Sequence, residues 1–235
     1  QKNEMEKMAP RYAIITAGGS GTRMGAAVPK QMLEIEGKPI LRYTVERFLN
    51  LPFQVKIILV MNKDAKESWK SYCRESGFSF NHILVDGGIT RFHSVKNGLK
   101  YVPEGAVVAV HDGVRPFISE AKLIEIYNLA EEKGVAIPCM KSVESMRMVD
   151  GKGDYVYVDR DKYYSVQTPQ IFKSDILLKS YEQAFSTEFT DDASVVEKAG
   201  YPLCFCEGTR YNIKITTPED MTLSRALISL GSDSL

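Results

Sequence analysis

Apolar positions along this chain of 235 residues fall into two alternating rhythms. Short apolar runs at residues 12–15, 55–61, 82–85, 106–110 and 135–139 read as strands. Between them, apolar residues recur at spacings of three and four. Pro39 suits the first turn of a helix, and Ile40, Leu41, Thr44, Val45, Phe48 and Leu49 then share one face. Within residues 121–132, Leu123, Ile124, Ile126, Tyr127 and Ala130 repeat the pattern. Strands alternating with helices predict an α/β fold with a mostly parallel sheet, whose ligands bind beyond the carboxyl ends of the strands.

The alternation breaks near Lys141. Two extended segments flank the turn Asp150-Gly151-Lys152-Gly153-Asp154, which predicts a protruding β-arm at about residues 141–168. Its strands carry Val and Tyr, so the arm is expected to pack against something, a second subunit being the natural partner. Helical spacing returns at 174–185 and 191–199, with Gly200 as a stop, and Thr217-Pro218-Glu219-Asp220 has the form of a capped helix start. No repeat or low-complexity linker divides the chain. The reading is one domain over residues 11–235 preceded by a polar, disordered leader at 1–10.

Thirty basic and thirty acidic residues cancel, so no global field favours nucleic acid or membrane, and any anion site must be local. Cys73, Cys139, Cys204 and Cys206 lack paired zinc spacings and are expected as buried, reduced thiols, which suits a cytoplasmic protein. No run approaches a membrane span, and the first ten residues are unlike a secretory signal.

The stretch Ala17-Gly18-Gly19-Ser20-Gly21-Thr22-Arg23-Met24-Gly25, followed by Pro29-Lys30-Gln31, carries the clearest chemistry. Four glycines in nine residues directly after a buried strand let backbone N–H groups approach anionic oxygens, and Arg23 and Lys30 add two cations. This predicts a polyphosphate site, with a glycine-rich surface turn as the plain alternative. It is not a dinucleotide fingerprint, because Met24 stands where the third glycine belongs, and no Gly-Lys-Ser/Thr triplet ends it as a Walker loop requires. Three further segments carry chemistry, two of them closing apolar runs. Asp86-Gly87-Gly88 with Ser94 offers backbone and a hydroxyl to a base edge, leading into a helix expected at 95–101. Asp112, with Gly113 and Arg115, places a carboxylate where a hard cation such as Mg²⁺ is held. Lys214 lies in an apolar run before the capped helix. Taken singly, each has a structural reading: a plain turn, a cap on a backbone amide, a side chain snorkelling from an edge. His82, His93 and His111 have no metal-ligand spacing and read as structural or supporting groups.

These segments, with Asp159-Arg160, Gln167-Thr168-Pro169-Gln170, Thr190-Asp191-Asp192-Ala193 and 212–217, occur in the order that resembles cytidylyltransferases of the 2-C-methyl-D-erythritol 4-phosphate type. The resemblance covers residues 11–230. It implies a Rossmann-like fold with helices on both faces of the sheet, a homodimer clasped by β-arms, and Mg²⁺-assisted transfer of CMP from CTP to the sugar-alcohol phosphate in non-mevalonate isoprenoid synthesis. It assigns Arg23, Lys30 and Lys214 to catalysis and Ala17, Gly18, Gly19, Gly21, Met24, Gly88, Ser94 and Gly113 to CTP. It assigns Asp112, Arg115, Ser145, Arg160, Thr168 and Lys214 to the acceptor, with Asp112 also on the metal and Arg160 reaching over from the partner's arm. Glu144-Ser145, Lys141 and Ile89 depart from the common pattern, where relatives carry Asp-Thr, Pro and, in some, an acid. A sister activity on D-ribitol 5-phosphate shares the phosphate loop and the Val114-Arg115-Pro116-Phe117 run, but Arg91 to Val95 and Thr190 to Ser194 look more like the first type. A non-enzymatic relative would be expected to lose Arg23, Lys30, Asp112 or Lys214, and all four are present.

Overall fold

The computed structural model describes residues 8–18 and 28–231. Strand β1 (Arg11–Thr16) is followed by a small hairpin of β2 (Glu34–Ile35) and β3 (Lys38–Pro39), then α1 (Ile40–Leu49), β4 (Val55–Met61), α2 (Lys63–Ser76), β5 (His82–Asp86), α3 (Arg91–Leu99), β6 (Val107–Asp112), α4 (Glu120–Lys133) and β7 (Val135–Lys141). After these come β8 (Arg147–Val149), β9 (Tyr155–Tyr157), β10 (Tyr164–Val166), β11 (Gln170–Lys173), α5 (Ser174–Ser180), α6 (Asp192–Lys198), β12 (Phe205–Glu207) and α7 (Pro218–Leu230).

The main sheet has the order β10-β7-β11-β6-β1-β4-β5, with β12 on the far side of β7. Strands β6, β1, β4 and β5 run parallel, while β11 inserts antiparallel between β6 and β7. Chain order reverses at β1, which has β4 on one side and β6 on the other, and such a switch point opens a crevice at the carboxyl ends of the strands. Register sets Thr16 beside both Val60 and Asp112, so those ends are level.

Alternate residues of the buried strands feed two apolar layers. Ala13, Ile15, Ile57 and Leu59 meet Leu41 and Phe48 of α1, Trp69 of α2 and Leu123, Ile126 and Tyr127 of α4. Ile14, Ile58, Val60 and Val108 meet Phe92, Val95 and Leu99 of α3, with Leu177, Val195 and Val196 behind. Helices therefore cover both faces, as expected. Among the described residues, no helix is long and apolar enough to cross a membrane.

Several boundaries differ from the sequence expectation for identifiable reasons. Helix α3 starts at Arg91, four residues before the expected start, because the Thr90 side chain caps it by accepting from His93 N. Helix α2 did not stand out in the pattern because only Ala65 and Trp69 of its fourteen residues are buried. Helix α5 ends at Ser180 rather than 185. Beyond it, Tyr181 stacks on Phe92 at 4.7 Å and Phe185 lies 5.8 Å from the same ring, so tertiary aromatic contacts replace the helical turn. The four cysteines are free, as expected, but half-buried rather than core. Of the segment expected as a leader, Ala9 packs on the core and Pro10 O accepts from Val107 N at 2.9 Å, while residues 1–7 lie outside the described residues. In the arm, β8 and β9 form a separate hairpin whose turn is held by Asp150 Oδ1, accepting from Lys152 N and Asp154 N, whereas its two roots, β7 and β10, belong to the main sheet. The helix start at Thr217 is a complete capping box.

Trp69 fastens the otherwise polar α2 through a fully buried ring packed among Phe78, Phe80 and His82, to which its Nε1 donates at 3.2 Å. Trp69→Ala is expected to lower the unfolding free energy by about 3–5 kcal/mol. Urea unfolding measures it, and a loss under about 1 kcal/mol would show that the helix is held by something else.

Candidate active site

A cavity of about 340 Å³ opens beyond the carboxyl ends of β1, β4 and β6. Three walls surround it: the start of the glycine loop with Lys30, the Gly87-Gly88 turn with α3, and Asp112 with Lys214.

On the first wall, Ala17 N continues the sheet by donating to Val60 O at 2.9 Å, and the buried Gln31 side chain donates its Nε2 to Ala17 O. Asn62 Nδ2 donates to Gly18 O at 3.3 Å. The peptides of Ala17 and Gly18 are thus held from both sides, with Lys30 alongside on a short 3-10 turn. Gly19, Gly21, Arg23 and Met24 lie outside the described residues.

The second wall depends on a close approach. A Cβ on Gly88 would sit 2.4 Å from His93 Cβ and 2.9 Å from its carbonyl carbon, so only glycine fits. Gly88 N donates to Ser94 Oγ at 3.0 Å. With its oxygen occupied by that donor, the Ser94 hydroxyl keeps its own proton for an acceptor in the cavity.

The third wall is electrostatic. Asp112 is 7% exposed, and its Oδ2 receives Arg115 Nε at 3.1 Å and Lys214 Nζ at 3.3 Å, with Arg91 Nε 3.8 Å from Oδ1. Burial alone would raise its carboxyl, but Arg91, Lys214 and Arg115 outweigh that and hold it well below the usual carboxylate range. Behind it, Asp112 N donates to Thr168 Oγ1 at 3.0 Å, and Thr168 Oγ1 lies 3.0 Å from His111 Nδ1. His111 Nε2 is 2.9 Å from Arg115 O, which only accepts, so Nε2 carries the proton and the Thr168 hydroxyl donates to Nδ1. Burial pushes the His111 imidazole down to about 4, in keeping with this neutral ring. Arg91 forms a second pair with Asp192, Nη1 to Oδ2 at 2.8 Å. Asp192 is itself fully buried and accepts from Tyr181 OH at 2.5 Å.

The structure brings Ala17, Gly18, Lys30, Gly88, Ser94, Asp112 and Lys214 to one cavity. Gly113, Arg115 and Thr168 stand behind Asp112 instead of lining it: Gly113 N donates to Thr16 O at 2.9 Å, and Arg115 Nη1 donates to Asn212 O at 2.8 Å. Ser145 and Arg160 lie exposed on the arm, where Arg160 Nη1 donates to Val143 O at 2.6 Å, and neither lines the cavity of its own chain. Arg91, Asn62, Gln31 and Asp192 went unassigned in the sequence reading. Asn62 directly follows β4, a position equivalent to that of Ala17 after β1, and that placement is the signal that would have flagged it.

Asp112 is the one carboxylate lining the cavity among the described residues, and no group of three or more His, Cys, Asp or Glu gathers there as a self-sufficient metal cage. Its Oδ1 has no partner closer than Arg91 at 3.8 Å among the described residues. One carboxylate with phosphates and water is an ordinary Mg²⁺ donor set, so the site fits that ion in company with a polyphosphate.

Comparison with known proteins gives one answer. The sequence model of the IspD family, 2-C-methyl-D-erythritol 4-phosphate cytidylyltransferase, matches residues 12–229. The protein of that name from Bacteroides fragilis is 47% identical over 218 residues, 93% of this chain and 99% of its own length. The one from Geobacillus thermodenitrificans is 35% identical over 219 residues, 92% of this chain and 96% of its own. Among solved structures, the 4-diphosphocytidyl-2C-methyl-D-erythritol synthase of Anaerococcus prevotii superposes with a TM-score of 0.79 at 29% identity, covering 94% of this chain and 96% of that one.

The neutral His111 carries a pH consequence. Its folded pKa of about 4 lies below the unfolded value near 6.5, so the unfolded chain binds more protons between them. Stability is expected to be whole above pH ~6.5 and to fall by up to about 3 kcal/mol as pH drops through about 4. Denaturant unfolding from pH 7 to 4 measures the slope, and His111→Gln should flatten it.

Proposed function

The chain belongs to the 2-C-methyl-D-erythritol 4-phosphate cytidylyltransferase family, and we propose that its reaction takes place in the cavity beyond β1 and β6, with CTP along the glycine and Gly88 walls and the acceptor toward Asp112 and Lys214. The enzyme transfers CMP from CTP to 2-C-methyl-D-erythritol 4-phosphate, giving 4-diphosphocytidyl-2-C-methyl-D-erythritol and pyrophosphate. D-ribitol 5-phosphate as the acceptor is not favoured. The observation that best supports this division of the site is the buried carboxylate of Asp112 at the switch point, ringed by Arg91, Arg115 and Lys214 and facing the glycine edge and Lys30 across one cavity.

The chemistry asks for positioning more than for a base. A phosphate monoester has its second pKa at ~6, so the acceptor oxygen is ionised near neutral pH and attacks the α-phosphorus in line as pyrophosphate leaves. Backbone amides of Gly18 and the loop beyond, with Arg23 and Lys30, meet the triphosphate and the charge that develops on it. Gly88 and Ser94 meet the cytosine. Lys214, 45% exposed and paired with Asp112 before substrate arrives, exchanges that carboxylate for phosphate oxygens. Arg115 and Thr168 serve the acceptor by fixing the direction of Asp112. Asp112 is the residue that would hold Mg²⁺, which would supply further neutralisation of the triphosphate.

The arm completes the proposal. Met148, Val149, Tyr155 and Tyr157 are exposed on it, the two tyrosines at 76% and 73%, an apolar load that burial against a second copy would remove from water. A homodimer through these arms brings Arg160 and Ser145 to the partner's acceptor end. The domain is taken as single, and the four free cysteines suit a reducing cytoplasm.

Pyrophosphate release from CTP and Mg²⁺ with 2-C-methyl-D-erythritol 4-phosphate against D-ribitol 5-phosphate tests the acceptor, and a preference for ribitol phosphate would overturn it. Lys30→Ala is expected to lower turnover by more than tenfold, each tenfold being ~1.4 kcal/mol of barrier; a smaller loss removes its assigned role. Arg160→Ala is expected to weaken acceptor binding at least about tenfold with CTP binding changed less than about twofold, measured by separate titrations; equal losses would detach the arm from the acceptor end. The mass in solution at micromolar concentration is expected to be that of a dimer.

A further inference from the structure

Lys214 lies on a strap, residues 208–216, that belongs to no helix or strand. A cationic side chain on an irregular segment needs outside fixtures if its ammonium group is to stand within 3.3 Å of Asp112. Arg115 Nη1 on Asn212 O and Ile215 N on Val114 O hold the strap beside Lys214, and one further side chain ties its earlier half to the root of the arm. Gln167 reads the strap as a backbone would. Its Nε2 donates to Thr209 O at 2.9 Å and its Oε1 accepts from Thr209 N at 3.2 Å, closing a two-bond ring with one residue's backbone. The same Oε1 accepts from Asn212 Nδ2 at 3.2 Å, and that Nδ2 also donates to Thr168 O at 2.8 Å. The fit is close: a Cβ on Gly208 would stand 2.4 Å from Gln167 Oε1. Gln167 is anchored in turn, its N donating to Pro138 O at 2.9 Å, and it directly follows β10, the strand by which the arm rejoins the sheet.

We propose that Gln167 is a positioning residue for the transfer reaction, acting through the strap to set Lys214 against the reacting phosphates. The proposal rests on the reading of Lys214 as a phosphate-contacting residue. Gln167 touches neither substrate. It removes the freedom of a segment whose wandering would carry the ammonium group away, and because it stands at the root of the arm, the same side chain makes the placement of Lys214 follow the placement of β10.

The test is a double-mutant cycle on the full-length enzyme with CTP, Mg²⁺ and 2-C-methyl-D-erythritol 4-phosphate, using Gln167→Ala, Lys214→Ala and the pair. A misplacement of about 1 Å costs on the order of 100-fold, so Gln167→Ala is expected to lose about 10- to 100-fold in kcat with KM for CTP within about twofold. In the Lys214→Ala background the same change is expected to cost less than about twofold, because the group it positions is gone. Gln167→Glu keeps the acceptor for Thr209 N and Asn212 Nδ2 and is expected to recover part of the Gln167→Ala loss. It also serves if the alanine variant fails to fold. A readout independent of turnover is the rate at which Lys214 is acylated by an amine reagent, followed by mass spectrometry: Gln167→Ala is expected to raise it several-fold while other lysines are unchanged. Additive losses in the cycle, or unchanged labelling of Lys214 in a folded Gln167 variant, would overturn the proposal. A Lys214→Ala enzyme keeping more than about a tenth of the rate would instead overturn the reading of Lys214 itself, whatever Gln167 does.

Discussion

A carboxylate withdrawn from water at the end of a buried strand is stable only if cations meet it, and the arrangement around Asp112 answers that requirement. Its three cations come from three separate parts of the chain: Arg91 from the first turn of α3, Arg115 from the loop after β6, and Lys214 from the strap before α7. Meeting one desolvated charge therefore draws three elements to the same point, beside the crevice that strand order opens.

This constraint also suits the cluster to an anionic ligand. The cations that Asp112 holds are of the kind that pair with phosphate, and the carboxylate keeps them from repelling one another. Lys214 is the most exposed of the three, while Arg115 and Arg91 are bound a second time, to Asn212 O and Asp192 respectively. The layer behind is uncharged where it can be. Thr168 and a neutral His111 hold the Asp112 backbone by hydrogen bonds alone, so the local balance of charge is left to the groups that face the ligand.

How far the sequence reveals this follows from what is local. The five strands are legible because apolar runs have few other uses, the glycine edge and Asp112 because each closes such a run, and Lys214 because it is a lone cation in an apolar stretch before a capped helix. The start of α3 is not, since Thr90 looks like one more residue of a Gly-Gly loop until its side chain is seen to accept from His93 N. The Arg91–Asp192 pair spans 101 residues and the Gln167–Thr209 ring spans 42, separations over which no periodicity operates. The arm is legible as two extended segments about a turn. That its roots are sheet strands while its tip is a separate hairpin is a matter of pairing, which composition does not express.

The placement of β11 has a consequence for how the molecule is made. Strand β6 is buried along its whole length, yet its second edge is covered only by residues 170–173, which lie beyond the entire arm. A chain emerging from synthesis thus carries a complete glycine edge, Asp112 and the parallel half of the sheet while one central strand still presents an open, apolar border. Closing that border requires the arm to have been traversed and the chain to return antiparallel between two strands already laid down. Acquisition of the native sheet is for that reason a late, long-range event, and nascent chains stalled within the arm are the ones most exposed to pairing with the wrong neighbour.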